Sequence, residues 1–337
     1  MKWLSFFLFL GCAQVTSLNL KKHQFGILPT KIIWFQVAGL DEEQLALLRF
    51  QQNSERRTSF EENICIGKTW NYNLYDIRVP AEVTFLSQIT GKKNIKNTCE
   101  DAKLRPIWSY LSGNGYQTGI LEVGGDSKQS LLALNSCPEE KTPYLNNTYV
   151  WVRREPVKNA STFHYVEDVP LKLNEPFYDK SCSGQSCFSN ILDDYKSIYS
   201  RFRKLSQKHL FIVRDFSYLK ALEKGDFKAA KKILSDIEIT YSEALALAES
   251  SNDYLILLTT GDSRYVEMPE KGKEWFDFEK MGVGAKVKSK KLTNLVLASG
   301  ARAENFCGIY NDSRIFERIL SGPKQQGLEL KIINPFK

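Results

Sequence analysis

The chain has 337 residues, of which 42% are hydrophobic and 25% charged, and its formal net charge is +7. This length and composition are those of a globular protein with one large domain or two smaller ones, and they exclude a mainly disordered, collagen-like or coiled-coil chain. So small a charge excess does not indicate a nucleic-acid partner, and none is predicted. The three histidines, His23, His164 and His209, are too widely spaced for a His-rich metal site.

The N-terminus has the layout of an export signal. Residues 1–17 contain one early lysine, an apolar run too short to span a membrane, and then small residues. The sequence from Phe9 to Cys12 is similar to a bacterial lipobox, in which Cys12 would be lipidated and become the mature N-terminus. Simple cleavage near Ala13 or Ser17 is the alternative. The residue directly after Cys12 is Ala13 and not an acidic residue, and by resemblance this favours an outer-membrane lipoprotein that faces the periplasm.

The predicted elements alternate between strands and helices along most of the chain. Buried strands are expected at 31–38, 116–123, 149–153, 210–213, 254–259 and 295–298. Helices are expected at 41–50, 80–89, 105–112, 191–205, 226–250 and 315–320. This alternation predicts an α/β protein, a three-layer α/β/α sandwich with a mostly parallel central sheet, in one domain over about 28–330.

Residues 135–190 differ from the rest of the chain. They hold five prolines, many polar residues and a close cysteine pair, and they are predicted to form an irregular insertion with short strands.

Six cysteines remain after Cys12, and an even number in an exported chain indicates disulfide bonds. Cys182 and Cys187 close a short turn and are the best local pair. A zinc site there is the alternative, although a second pair of ligands is lacking nearby. The other four cysteines allow three pairings among which the sequence does not choose: they are Cys65, Cys99, Cys137 and Cys307.

Short motifs follow several of the predicted elements. The first strand ends in Val-Ala-Gly-Leu at 37–40, and the helix at 80–89 runs into Thr-Gly. Residues 258–263 read Leu-Thr-Thr-Gly-Asp-Ser, and residues 300–310 read Gly-Ala-Arg-Ala-Glu-Asn-Phe-Cys-Gly-Ile-Tyr. In this order and spacing the set resembles the alkaline phosphatase superfamily over most of the chain outside about 135–190.

The resemblance implies a site in which Asp and His side chains hold two metals, usually zinc, while Ser, Thr or a modified Cys attacks the substrate. The matching positions of this sequence depart from that pattern at nearly every point: Ala38 stands for the first aspartate, Pro80 and Ala81 for the second aspartate and the nucleophile, Arg214 for an acidic residue, and Gly261 with Asp262 for an Asp-His pair. None of the three histidines falls at a ligand position. Gly39 keeps a turn whose backbone requires glycine.

Several polar side chains remain near the positions that have lost their ligands. Glu82 and Thr84 are expected in the first turn of a helix, where both residue types are common, rather than in a catalytic role. Arg214 is expected to pair with Asp215 or Asp262, because a buried charge needs a partner. Binding of an anion by Arg214 is the alternative.

The departures from the pattern predict a catalytically inactive relative that acts as a binding or structural protein of the cell envelope, without a metal or other cofactor. Its partners are expected to be an envelope ligand or protein and, through the lipid anchor, the membrane. Ala38, Ala81, Arg214, Gly261 and Asp262 are then expected to converge on one empty pocket.

Two alternatives to this function stay open. One is a zinc-dependent phosphoester or sulfoester hydrolase with an atypical site, using Thr84 and Asp262. The other is an envelope interaction module that uses the segment 135–190.

Overall fold

The fold is a large mixed sheet with helices packed on both faces. A computed structural model describes residues 29–49, 57–137, 143–183, 186–269, 272–281 and 284–320. The predicted α/β class with a mostly parallel central sheet is confirmed. The predicted export signal, with Cys12, lies outside the described residues.

Within the described ranges the strands are β1 Lys31–Ala38, β2 Cys65–Trp70, β3 Gln117–Val123, β4 Thr148–Arg153, β5 Thr162–Phe163, β6 Pro176–Asp179, β7 Cys182–Ser183, β8 Ser186–Cys187, β9 His209–Asp215, β10 Tyr254–Gly261, β11 Arg264–Glu267, β12 Lys286–Lys290, β13 Thr293–Gly300 and β14 Gly308–Asn311. The α-helices of the same ranges are α1 Ala46–Arg49, α2 Ala81–Thr90, α3 Ile107–Ser112, α4 Leu132–Asn135, α5 Ile191–Phe202, α6 Ser217–Glu223, α7 Phe227–Ser250, α8 Gly272–Met281 and α9 Arg314–Leu320.

The central sheet has ten strands in the order β14-β2-β13-β10-β1-β9-β3-β4-β6-β5. Strand β1 lies between β9 and β10, parallel to both, and its side chains after Lys31 are all buried. Only β13 runs antiparallel to its neighbours β10 and β2. A continuous apolar strand of this kind is typical of a parallel sheet that is covered on both faces.

Two apolar cores lie on the two faces of the sheet. Helices α5, α6 and α7 cover one face, and α2, α3 and α9 cover the other. The 24-residue helix α7 begins after its cap Asp226, whose Oδ1 accepts the backbone N–H of Ala229 at 2.9 Å. Its buried positions recur every three or four residues, as an amphipathic helix requires.

The described residues of the segment 135–190 include several short strands, as predicted. The segment contributes β4, β5 and β6 to one side of the central sheet, and β7 and β8 form a short hairpin beside them. Trp151 on β4 is buried against the rings of Phe202 and Phe211, so this segment shares the main core. Most of its described prolines lie in the connections before and between these short strands. This explains why the sequence pattern did not predict β5 and β6 individually.

The six cysteines of the described residues form three disulfides. Cys182 is bonded to Cys187, and the open pairing resolves as Cys65–Cys307 and Cys99–Cys137. Disulfides are typical of exported proteins, which agrees with the predicted export. No helix in the described part of the chain is both long enough and apolar enough to cross a bilayer.

His209, the first residue of β9, is buried at the amino end of the sheet and far in the chain from the other histidines. Its Nε2 lies 2.9 Å from the Tyr199 hydroxyl, and its Nδ1 lies 3.4 Å from the carbonyl oxygen of Ser206. Burial lowers the pKa of His209 from 6.5 to about 4. The imidazole is therefore neutral in the folded protein at neutral pH.

We expect the free energy of unfolding to fall through His209 as the pH drops from 6.5 to about 4. In that window the unfolded chain binds a proton at this residue and the folded chain does not. The free energy of unfolding therefore falls by about 3 kcal/mol across the window. His209→Gln keeps a donor and an acceptor but does not titrate, so the difference in stability between the two proteins should change across the window. Urea unfolding of both proteins at several pH values measures it, and parallel pH profiles would contradict the assignment.

Candidate functional site

Three of the expected site residues meet at the carboxyl end of the sheet. Ala38 and Gly261 are register partners in β1 and β10, and the N–H of Gly39 donates to the carbonyl oxygen of Gly261 at 2.8 Å. A Cβ atom at Gly261 would lie 3.2 Å from the Cα of Ala81 and 2.8 Å from the ring of Phe85. The convergence of Ala38, Ala81 and Gly261 is therefore present in the structure.

This place is filled with apolar side chains and is not an empty pocket. Ala38 and Ala81 belong to a buried cluster with Phe85, Phe216 and Leu219. The rings of Phe85 and Phe216 meet edge to face, with their centroids 5.5 Å apart. The expectation of an empty pocket is wrong because Phe85, one turn beyond Ala81 on α2, occupies the space together with Phe216.

Arg214 lies beside this cluster with only 1% of its side chain exposed. Its Nη1 is 3.4 Å from Oε1 of Glu122, and its Nη2 donates to the carbonyl oxygen of Gln129 at 3.3 Å. Its guanidinium carbon is 5.9 Å and 5.6 Å from the ring centroids of Phe85 and Phe216. Burial lowers the pKa of Arg214, and the Glu122 carboxylate opposes that shift.

The predicted partners of Arg214 are wrong. Asp215 accepts hydrogen bonds from the Ser217 hydroxyl and the Tyr218 N–H at the start of α6. Asp262 forms ion pairs with Arg264 and Lys290, each at 3.0 Å. Glu122 is the partner because it lies on β3 in direct register with Arg214 on β9, a relation that requires the strand order.

The remaining polar residues of the expected site are held in structural contacts. Pro80 is the N-cap residue of α2, and the Thr84 hydroxyl donates to Oδ1 of Asn71 at 2.9 Å. Glu82 lies in the first turn of α2, where burial raises the pKa of its carboxyl. Burial also raises the pKa of Asp262, with Arg264 and Lys290 opposing it.

The residues present do not fit a pair of zinc ions. Ala38, Ala81 and Gly261 have no side-chain donor, and Asp262 is bound to two cations. In the described part of the chain, one group of three possible metal ligands lies together, Asp179 with Cys182 and Cys187. Both of its sulfurs are joined in the disulfide, so they are not thiolate ligands.

The fold is shared with solved enzymes at low sequence identity. The alkaline phosphatase from the Antarctic bacterium TAB5 matches with a TM-score of 0.65 and 12% identity, over 87% of this chain and 97% of that one. This chain has the alkaline phosphatase fold. The enzyme from Thermus thermophilus matches with a TM-score of 0.68 and 10% identity, over 91% and 94% of the two chains. The enzyme from Shewanella sp. gives 0.63 and 11%, over 86% and 98%.

No family model and no curated protein sequence matches the chain. The likeness of the structures therefore establishes the alkaline phosphatase fold and leaves the activity to be argued from the residues.

A cleft of about 770 Å³ lies next to this filled centre. It opens beyond the ends of β3 and β4, between the Cys182–Cys187 disulfide and helices α6 and α7. Arg154, Lys220 and Lys224 line it, and among the described residues no carboxylate lies within 4.0 Å of their side-chain nitrogens. Burial lowers the pKa of Lys220, and the charges of Arg154 and Lys224 lower it further. The cleft therefore holds three cations, and the Asp126 carboxylate opposes the effect of the other two on Lys220.

Two carboxylates, Glu155 and Asp226, also line the cleft. Glu155 is exposed, and Asp226 caps α7. Among the neighbouring charges, Asp126 has the largest effect on Lys220 and raises its pKa. Oδ1 of Asp126 accepts the N–H groups of Lys128 and Gln129. Sequence reasoning missed this cleft because α6 was not predicted. The four-residue spacing of Lys220 and Lys224 is the signal that was available.

Proposed function

We propose that this chain is a non-catalytic binding protein of the cell envelope, built on the alkaline phosphatase fold. One observation carries the proposal: Phe85, Phe216 and Leu219 fill the place where Ala38, Ala81 and Gly261 meet. A substrate phosphoryl group and two metals would need that volume together with donor side chains. In this proposal, ligand binding requires neither zinc nor another cofactor.

For its ligand, the cleft of Arg154, Lys220 and Lys224 supports an anionic envelope component. A volume of about 770 Å³ is within the range of small-molecule sites. An anion placed there would relieve the repulsion among the three cations. The segment 135–190 supplies one wall through Arg153, Arg154 and the Cys182–Cys187 disulfide, so the interaction-module alternative merges with this proposal.

For its location, we propose a lipid tether at Cys12 on the outer membrane, with the domain facing the periplasm. Sixteen residues lie between Cys12 and Pro29, where the described structure begins. A fully extended chain of that length would reach about 60 Å.

Hydrolysis of aryl phosphate and aryl sulfate by the purified protein, with zinc and magnesium added, tests the absence of catalysis. We expect no turnover above the uncatalysed rate, and metal analysis should find no retained zinc. An alkaline phosphatase assayed in parallel shows that the conditions support turnover. Turnover that follows about two bound zinc ions per chain and is lost in Thr84→Ala and Asp262→Asn would overturn the proposal in favour of the hydrolase.

Calorimetric titration with inorganic pyrophosphate tests the cleft. We expect binding that weakens at least about tenfold in the double variant R154E/K224E, since two favourable charge contacts become repulsive. The matched control is K158E/K228E, which reverses two exposed cations that do not line the cleft. Equal weakening in both variants would reduce the effect to overall charge and would contradict a specific site. Deletion of 135–190 is unsuitable, because it removes three strands of the central sheet.

A further inference from the structure

The loop at residues 71–79, between β2 and α2, exposes an unusual amount of apolar surface. Leu74 is 79% exposed and Ile77 is 77% exposed, with Tyr75 between them in the chain and also exposed. Tyr72 at the start of the loop is exposed as well. Exposed apolar residues scattered singly need no explanation, but a contiguous group indicates a contact surface.

The exposure of this loop is fixed by hydrogen bonds. Oδ1 of Asn73 accepts the N–H groups of Tyr75 and Asp76 at 2.8 Å and 2.7 Å. The loop is also bound to the segment after α2, because the N–H of Leu74 donates to Oδ1 of Asn94 at 3.2 Å. The apolar side chains are thus presented on a bonded turn and would lose little conformational entropy on contact.

Cations surround the apolar tips. Lys93 Nζ lies 3.8 Å from the ring centroid of Tyr72, and Lys96 Nζ lies 5.4 Å from that of Tyr75. Arg78, next to Ile77 in the chain, and Lys92, next to Lys93, are also exposed. The opposing carboxylates are Asp76 in the loop and Glu100, which forms an ion pair with Lys96 at 3.2 Å.

This combination matches the layers of an anionic bilayer surface. Leucine and isoleucine enter the acyl boundary, tyrosine rings lie at the level of the headgroups, and lysine and arginine contact anionic phosphates. A protein partner fits less well, since lysine is depleted in protein–protein interfaces. We propose that the loop 71–79 is a peripheral membrane-binding element that inserts Leu74 and Ile77 into an anionic lipid surface.

The position of the loop makes this contact separate from the proposed lipid tether. Strand β2 runs parallel to β1, because both are related through the antiparallel β13 and the parallel β10. The loop after β2 therefore lies at the carboxyl end of the sheet, opposite the end at which the chain enters β1. Membrane binding through the loop should persist without lipidation at Cys12.

Vesicle co-sedimentation of the full chain carrying Cys12→Ser tests this. We expect binding to vesicles of phosphatidylcholine with phosphatidylglycerol, weak binding to phosphatidylcholine alone, and weakening by salt. The variant L74S/I77S should lower the partition coefficient at least about tenfold, because two inserted side chains become polar. The matched control V157S/V166S alters two residues that are also more than half exposed, on two other loops, and should bind as the parent does.

Three outcomes would overturn the proposal. The parent protein fails to bind anionic vesicles, or L74S/I77S binds as well as the parent, or only K92E/K93E weakens binding, which would leave electrostatics without insertion. If the parent protein does not bind vesicles but forms a concentration-dependent dimer that L74S/I77S disrupts, the loop is assigned to self-association instead. The variants change exposed side chains, apart from the half-buried Lys93, and their thermal unfolding checks that the fold is retained.

Discussion

Replacement of Arg214 by methionine should lower the free energy of unfolding by about 3–5 kcal/mol. Arg214 and Glu122 are both almost fully buried, 3.4 Å apart, and the substitution leaves the Glu122 carboxylate without its cation. The methionine retains much of the apolar contact with Phe85 and Phe216, so the loss reports mainly on the charge. Urea unfolding at neutral pH measures it.

A double-mutant cycle separates the ion pair from packing. The double variant R214M/E122Q should lose much less stability than the sum of the losses in the two single variants, because no unpaired charge remains. Lys196→Met, which removes an exposed partner of Glu243, serves as a surface control and should change stability little. Additive effects of the two changes at Arg214 and Glu122 would show that the pair is not coupled.

Among the three disulfides of the described residues, removal of Cys65–Cys307 should lower the free energy of unfolding the most. The two cysteines are 242 positions apart, so their bond restricts most of the unfolded chain. The chain-entropy relation gives about 5 kcal/mol for a loop of this length. The double variant C65A/C307A, unfolded in urea beside the parent under oxidising conditions, measures the loss.

The Cys182–Cys187 disulfide provides the matched control. Its cysteines are only five positions apart, and the same relation gives about 2 kcal/mol for C182A/C187A. A smaller loss for C65A/C307A than for C182A/C187A would show that loop entropy does not set the contribution of these bonds.

The central strands were predictable from the sequence because they are buried on both faces. The strand predicted at 31–38 coincides with β1, and the one at 254–259 falls inside β10. Strand β2 was not predicted, since its side chains alternate between buried and exposed and Gly67 interrupts them. That glycine is needed because a Cβ there would lie 2.1 Å from the carbonyl oxygen of Phe306.

The site was predicted only as far as its positions, not its contents. The chain positions of Ala38, Ala81 and Gly261 follow from motifs that end elements, and these motifs are local. The pairing of Arg214 with Glu122 depends on β3 lying beside β9, which no local pattern reveals. The filling by Phe216 depends in the same way on how the chain turns from β9 into α6.

The position of β1 in the sheet sets an order of events for a chain that is exported from its N-terminus. Its two neighbours, β9 and β10, come from residues 209–215 and 254–261. In the proposed export, this buried strand would therefore cross a membrane more than 170 residues before the first of its partners. Until then it would have no native pairing and would expose its apolar side chains, a situation that slows folding and favours aggregation.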